Sequence, residues 1–440
     1  MPIREQNAER LPFPPGSVEH MPPLTVTPGL RVAMVLQRFR PEFSGQGIQM
    51  EQLCQALARR GTSPIVLSST RGRASHWEDC DGYRIRRLRT DLLPGSANRS
   101  HLWMPTFGLR VLLELLRLDR VDVVHVHGLN DGIYGAYAFC RMRGTPLVFE
   151  MTLMGVDDPV SVFAARRFMA RARHRAYRNC DAYVAMSRAF LPSYSAAGMP
   201  ASRLHVIPQG VDTHRFRPMS TDLRASVRAG IGCSPSAPVV AFAGSLIERK
   251  GIDVLLAAWE RIHARLPQAR LLLIGPDDFP AGSADRPFLE AQLARVSSAA
   301  RAAVHRLGLR SDLEQLLGAA DLFAFPSRRE GFGSVIIEAM ASGLPCVVAR
   351  LDGITDFLFS SPIPAKLLVP SVLGDGVVIP QDDPGALADA ALSLLSAPNW
   401  AGQIAAAGLR TARERFDLDR AIAPAYERLY TGLVDARQGS

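Results

Sequence analysis

Lysine is nearly missing from this chain. Of 51 basic residues only Lys250 and Lys366 are lysines, and arginine supplies the rest. Arginine as the default cation, beside abundant alanine, fits a GC-rich coding bias. The formal charge of +9 therefore permits an anionic partner but does not point to nucleic acid. Cysteine is sparse too: Cys54, Cys80, Cys140, Cys180, Cys233 and Cys346 are scattered, with no C-x-x-C pair. That pattern excludes a disulfide framework or a cysteine metal knot and suits a reducing compartment. Cys54, Cys140 and Cys346 sit in apolar segments and are expected in the core. No apolar run reaches the ~20 residues of a membrane span. Residues 1–29 lack the apolar centre of a signal peptide, and their prolines (Pro2, Pro12, Pro14, Pro15, Pro22, Pro23, Pro28) read as a disordered leader. A cytoplasmic protein is expected. Missing as well is a G-x-G-x-x-G after the first strand or an acidic residue ending the second, which disfavours a nicotinamide-dependent Rossmann enzyme.

What is present is organised around Arg329-Glu330-Gly331-Phe332-Gly333-Ser334, leading through Glu338 to Gly343-Leu344-Pro345. An apolar run from Asp321 to Pro326 precedes it and another, Cys346 to Ala349, follows. The pattern predicts a buried strand, a glycine turn and a short helix opening at Ser334. Gly331 and Gly333 let backbone approach a ligand, and free amides at a helix start can hold an anion. Glu338, four residues past Ser334, lies about 6 Å up the helix axis, so Glu330 and Glu338 can border one cleft.

The chain length of 440 allows two domains, and the motif order supplies them. Val32–Leu36 predicts a strand, Phe43-Ser44-Gly45-Gln46-Gly47 a loop, 48–60 a helix and 65–68 a strand, the opening of a doubly wound sheet. Strands follow at 121–126, 147–149, 182–186 and 204–207, with helices near 108–119, 132–142, 161–178 and 188–197. Met219 to Pro238, holding Gly230, Gly232, Pro235 and Pro238, reads as a linker. A second series then opens with the strand 239–243, the loop Gly244–Gly251 carrying Lys250, a helix 252–266 and a strand 271–274. Asp382-Asp383-Pro384 caps a helix over 385–396, and a last helix spans about 418–434.

Three features thus fall at strand ends: the Gly45/Gly47 loop, the Gly244–Gly251 loop and the Glu330–Glu338 segment. Together with Val206-Ile207-Pro208-Gln209-Gly210-Val211-Asp212 they resemble retaining glycosyltransferases of family 4, over roughly residues 30–436. The resemblance implies an α/β fold of GT-B type: two facing Rossmann-like doubly wound domains, an interdomain cleft, and a C-terminal helix returning to the first domain. The implied division is a leader 1–29, an acceptor-side domain 30–218 completed by 416–440, and a nucleotide-sugar domain 219–415. It also implies a UDP- or GDP-sugar donor with no cofactor and no metal, and a saccharide or lipid-linked acceptor. Lys250 and the amides of Gly333, Ser334 and Val335 would meet the donor diphosphate, and Glu338 the ribose. Glu330 would stand beside the donor sugar, and backbone around Leu307 would receive the base. Gly244 would line the donor loop, while Gly45, Gly47, His127 and Thr152 would face the acceptor and diphosphate.

The sequence departs from that pattern in places. Ser245 stands where the family often has arginine, so Arg249 is expected to supply that contact, and Gln209 replaces an asparagine. The family's Thr-x-His reads Glu150-Met151-Thr152 here. Asp157-Asp158 and Asp277-Asp278 are read as turn residues rather than a metal-binding pair. Arg166, Arg167, Arg171, Arg173, Arg175 and Arg178, with Arg84 to Arg89, raise the alternatives of a patch for anionic membrane or a solvated face. Two other functions stay open: a sugar-phosphate or sucrose-type synthase with a small soluble acceptor, and a non-catalytic sugar-nucleotide-binding scaffold.

Overall fold

Two mainly parallel sheets carry the chain. The computed structural model describes residues 29–439 except 41–43, 72, 92–99, 166–168, 277–284, 362 and 365–366. Residues 1–28 of the expected leader, Asp277-Asp278, Arg166 and Arg167 therefore lie outside the described residues. The first sheet comprises β1 (Arg31–Val35), β2 (Ser63–Thr70), β3 (His76–Asp79), β4 (Arg84–Arg89), β5 (Val123–His127), β6 (Leu147–Met151), β7 (Ala182–Ala185) and β8 (Leu204–Val206). Their order is β3-β4-β2-β1-β5-β6-β7-β8, parallel except for β3 against β4. Val123, Val124 and Val126 have no exposure, because helices cover both faces of such a sheet and its strands read as continuous apolar runs.

The second sheet comprises β9 (Val239–Ala243), β10 (Arg270–Ile274), β11 (Val304–Gly308), β12 (Leu322–Phe325), β13 (Cys346–Ala349), β14 (Ser371–Leu373) and β15 (Gly376–Ile379). Its order is β11-β10-β9-β12-β13-β15-β14. The winding direction reverses beside β1 in the first sheet and beside β9 in the second. Such reversals leave a crevice beyond the carboxyl ends of the flanking strands, where ligands bind. In the second sheet the loop after β9 carries Lys250 and the loop after β12 carries Glu330.

Two segments bridge the sheets side by side. Val211 N donates to Phe416 O (2.8 Å), and Leu418 N donates to Val211 O (3.0 Å). After this second crossing a π-helical turn, Leu418–Ile422, leads into the last helix, Ala423–Gln438. Leu418, Ile422, Tyr426 and Tyr430 join a core with Val32, Met34, Leu53 and Leu57. The C-terminal helix thus returns to the first domain.

The stretch read as a linker is largely a helix, Thr221–Gly230. The helix breakers cluster only in its second half, leaving one amphipathic segment intact. Arg228, 4% exposed, donates to Ala319 O (2.8 Å), Pro235 O (2.7 Å) and Asp321 Oδ2 (2.7 Å). Asp321 also accepts from Val239 N (2.7 Å) and from Arg224. Asp321→Ala would strand the buried Arg228 charge and should cost about 3 kcal/mol. A lower urea midpoint at unchanged m-value is the expected reading.

Three other sequence expectations change. Gly45 and Gly47 do not form a loop but open the helix Gly45–Arg59, because Ser44 caps it, its Oγ accepting from Gly47 N at 3.3 Å. A good N-cap outweighs two glycines in the first turn. The expected helix 161–178 is two, Pro159–Ala164 and Ala170–Arg178, the second entered through Met169 at a left-handed φ of 61°. The helix expected from 108 begins at Ser100.

Candidate active site

β12 ends at Phe325, and the chain turns through Ser327 to Glu330 before Gly333 caps the helix Ser334–Ala341. Gly333 sits at φ 86°, a conformation suited to glycine, and no side chain caps this helix. The amides of Ser334 and Val335 at its first turn have no carbonyl of the preceding turn to bond and carry partial positive charge. Across the switch point, β9 ends at Gly244 (φ 145°), and a short 3-10 turn, Glu248–Lys250, brings the lysine back over the sheet. Gly251 (φ 71°) follows, where a Cβ would lie 2.0 Å from Pro326 O, so the two loops are locked backbone to backbone.

That contact sets the central pair. Lys250 Nζ donates to Glu330 Oε1 at 2.5 Å and lies 5.2 Å above the Phe325 ring. Ser327 Oγ donates to the same carboxylate oxygen at 2.5 Å, and Arg249 Nη1 stands 3.7 Å from it. Arg249 is tethered to Arg329 O (2.6 Å). Burial lowers the Lys250 pKa, Glu330 opposing the shift and Arg249 adding to it. Glu330 is thus the counter-charge of the ammonium, and an incoming diphosphate would compete for it.

Glu338 lies along the same helix, five residues beyond its cap, which is Gly333 rather than the expected Ser334. It is 7% exposed, and its carboxylate has no hydrogen bond or ion pair among the described residues. Burial pushes its pKa up to about 7, Arg215 working against the shift and Glu314 with it. A buried, unpartnered carboxylate is costly unless something donates to it. Leu307 and Gly308 end β11, two strands from β9, and Gly308 O accepts from Gly275 N (2.9 Å).

The opposing domain presents Thr152. Asp157 accepts from Thr152 N (2.9 Å) and Leu153 N (2.8 Å) and from Thr152 Oγ1 (2.5 Å). Gly331 packs against it: a Cβ there would lie 1.9 Å from Thr152 O. Ser187 Oγ donates to Gly331 O at 2.8 Å, so the Glu330 loop touches both domains. Gly47 and Gln46 open the Gly45–Arg59 helix beside Gly128, where a Cβ would meet the Gln46 amide at 2.7 Å and Thr152 Oγ1 at 3.0 Å. His127 is not with Lys250; its Nδ1 stands 2.5 Å from Glu150 Oε2.

Comparison with known proteins decides the lineage. Residues 43–215 match the family described as Glycosyltransferase Family 4, and residues 237–397 match Glycosyl transferases group 1. A D-inositol 3-phosphate glycosyltransferase of Xylanimonas cellulosilytica is 32% identical over 428 residues, covering 90% of this chain and 95% of the relative. The chain belongs to glycosyltransferase family 4. It is a hexosyltransferase of GT-B fold. Among solved structures, sucrose-phosphate synthase from Thermosynechococcus elongatus is 22% identical with a TM-score of 0.72, covering 92% of this chain and all (100%) of the other. Anabaena HepE, solved with UDP and glucose, is 20% identical with a TM-score of 0.68, covering 92% and 99%.

In this glycosyltransferase the structure brings together Lys250, Arg249 and Glu330, all three expected at the donor site. Sequence reasoning missed Ser327, Ser187 and Gly128, small residues that flank the motifs without belonging to them. It took Asp157 for an ordinary turn residue. Asp157 does sit in a turn, but it is 1% exposed and holds Thr152 in place. The pairing of His127 with Glu150 appears only in the strand register, where they face each other on β5 and β6. The arginine patch is reduced: Arg84, Arg86, Arg87 and Arg89 pair with Asp79, Glu114, Glu78 and Asp91. Arg173 is buried 3.5 Å from Asp131, leaving Arg171, Arg175 and Arg178 exposed. No described helix is long and apolar enough to cross a membrane.

Proposed function

We propose that this enzyme moves a hexosyl group from a nucleoside-diphosphate sugar to a hydroxyl of a saccharide or lipid-linked acceptor, with retention, in cell-surface polysaccharide or glycolipid synthesis. The observation that carries the donor half is Glu338, a buried carboxylate without a partner beside a helix start and the Lys250–Glu330 pair. Two ribose hydroxyls would donate to Glu338, and the diphosphate would take Lys250 and the amides of Ser334 and Val335. Glu330, released from the lysine, would then face positive charge growing at the anomeric carbon. In a front-side transfer the C1–O bond to diphosphate breaks as the acceptor oxygen bonds C1 on the same face. The acceptor proton passes to a diphosphate oxygen, so no protein base is required, in keeping with Thr152 where the family has histidine. Neither the donor contacts nor the transfer calls for a metal.

A small phosphorylated acceptor is the second reading, favoured by the inositol-phosphate relative and by the Gly45–Arg59 helix start aimed at Thr152, a natural anion seat. A lipid-linked acceptor would instead bring Arg171, Arg175 and Arg178 toward an anionic bilayer. Release of UDP or GDP across a panel of nucleotide sugars, with inositol phosphate, hexose phosphates and lipid-linked sugars as acceptors, separates the two. Binding without nucleotide release for every pair would return the chain to a scaffold role. NMR of the product anomer tests retention.

The Glu338 assignment also predicts a pH dependence. In the folded chain burial holds this proton up to pH about 7, against an ordinary value of 4.5. The stability contributed by the neutral acid is complete below 4.5 and lost as pH rises through 7. Ribose hydroxyls need the carboxylate as acceptor, so nucleotide-sugar affinity should fall by up to ~tenfold per unit below the folded pKa. The nucleotide sugar itself has no ionisation there. Calorimetric titration at pH 6 and 8 should show weaker binding at pH 6, and Glu338→Gln should flatten the profile.

A further inference from the structure

The carboxyl ends of β5 and β6 hold a second constellation that the donor site does not use. His125 and His127, two residues apart on a strand, face the same side, and Glu150 stands opposite His127 in register. His125 Nε2, His127 Nδ1 and Glu150 Oε2 converge, each within 4.8 Å of the others. Glu150 Oε2 is 2.5 Å from the first domain's His127 Nδ1 and 3.8 Å from His125 Nε2. The three side chains are only 0%, 2% and 8% exposed.

Proton counting shows what this arrangement suits. His127 Nε2 faces the Met34 thioether at 3.3 Å. Thioether sulfur has no proton to give, so Nε2 carries one and donates. In the neutral ring Nδ1 is then a bare lone pair aimed at a carboxylate. His125 Nδ1 lies 2.7 Å from Tyr430 OH, while its Nε2 is fully buried with no hydrogen-bond partner. With Nδ1–H given to the Tyr430 oxygen, His125 Nε2 is a second inward lone pair. A protonated His127 would satisfy Glu150 but would still leave His125 Nε2 without a partner.

We propose that His125, His127 and Glu150 form a binding site for a divalent cation of the zinc class. Two imidazoles and one carboxylate are a recognised zinc donor set. Each imidazole has its other nitrogen against an outer partner, the Tyr430 hydroxyl for His125 and the weaker Met34 thioether for His127, as metal-ligating histidines usually have an outer partner. Bonds of about 2.1 Å to a tetrahedral ion put ligand atoms roughly 3.3 Å apart. Glu150 and His127 must therefore separate by under ~1 Å and His125 approach by about half that. His127 and Glu150 border a cavity that Gln46, Gln209 and Tyr426 also line. All three ligands lie on β5 and β6 of the first sheet, whereas Lys250 and Glu330 follow β9 and β12 of the second. The site joins the two strand ends under Thr152 to the returning C-terminal helix, which supplies Tyr426 and Tyr430. The family resemblance implied no metal, and the third ligand, Glu150, lies on a different strand from the two histidines.

The test uses the untagged full chain. Elemental analysis after purification in zinc-supplemented buffer should find about one zinc per chain. After chelation and dialysis, CoCl2 should give the visible band of a low-symmetry four- or five-coordinate site, bleached by ZnCl2. Glu150→Gln and His125→Asn should each weaken cobalt binding on the order of 100-fold, near-UV circular dichroism reporting whether they fold. Should a variant not fold, the wild-type titration decides alone. Substoichiometric zinc with no cobalt band, or a band equally strong in folded variants, overturns the site.

Discussion

Lys250→Ala should lower kcat/KM by ~30- to 1,000-fold, the equivalent of losing about 2–4 kcal/mol of transition-state stabilisation. The lysine is 14% exposed, bonded to a carboxylate at 2.5 Å, and seated where the two donor loops lock together. A desolvated ammonium fixed before the reaction needs no reorganisation as charge grows on the departing diphosphate. Removing it also leaves Glu330 with only Ser327 and a more distant Arg249 for company. Both ground-state affinity and turnover should therefore drop. Glu330→Gln differs: the amide still bonds Ser327 but offers no charge to the anomeric centre, so kcat should fall more than nucleotide affinity. Steady-state kinetics with a fixed acceptor, paired with titration of the nucleotide alone, separates the two variants. Wild-type turnover by Lys250→Ala would falsify the diphosphate assignment.

The second large effect should come from a single methyl group. In Gly331→Ala the new carbon would stand 1.9 Å from Thr152 O, 2.9 Å from its carbonyl carbon and 3.3 Å from Met186 Sδ. Two of these atoms are backbone, pinned through Asp157, and cannot swing aside. The loop carrying Glu330 must withdraw, and the Ser187–Gly331 bond lengthens or breaks. Overpacking of this kind costs about 1–3 kcal/mol, expected as a loss of ~tenfold or more in kcat/KM. Nucleotide affinity should change little, since Lys250 and Glu338 remain on their own domain. Ser187→Ala is the milder companion, losing about 1 kcal/mol for one buried bond. If both variants matched wild type in acceptor KM and kcat, the cross-domain contact would carry no catalytic weight.

Legibility followed how local each signal is. Strand order was not in the sequence, yet the alternation of apolar runs with glycine loops told the sheet class and both switch-point loops. Lys250 stood out because arginine had displaced every comparable lysine nearby. Glu330 and Glu338 were visible as spacing, but not their opposite fates, one accepting from Lys250 and Ser327 and the other, among the described residues, from no donor. That difference depends on residues outside the motif: Ser327 donates to Glu330, while Arg215 is taken up by Glu314. The Gly45/Gly47 error came from weighting glycine above the Ser44 cap. The linker error came from averaging helix breakers over Met219–Pro238 when they cluster at one end. The histidine and carboxylate cluster was hidden for a third reason: its members are distant in the chain and meet only through strand register.

The paired crossings at Val211 and Leu418 have a mechanical meaning. Because both passages between the domains are hydrogen-bonded to each other, any rotation of one domain against the other would turn about this one place. Displacement under rotation grows with distance from the axis, so residues beside the crossings stay nearly still while the far lip of the cleft travels furthest. The Gly331 contact with Thr152 and Ser187 acts as a stop on that arc.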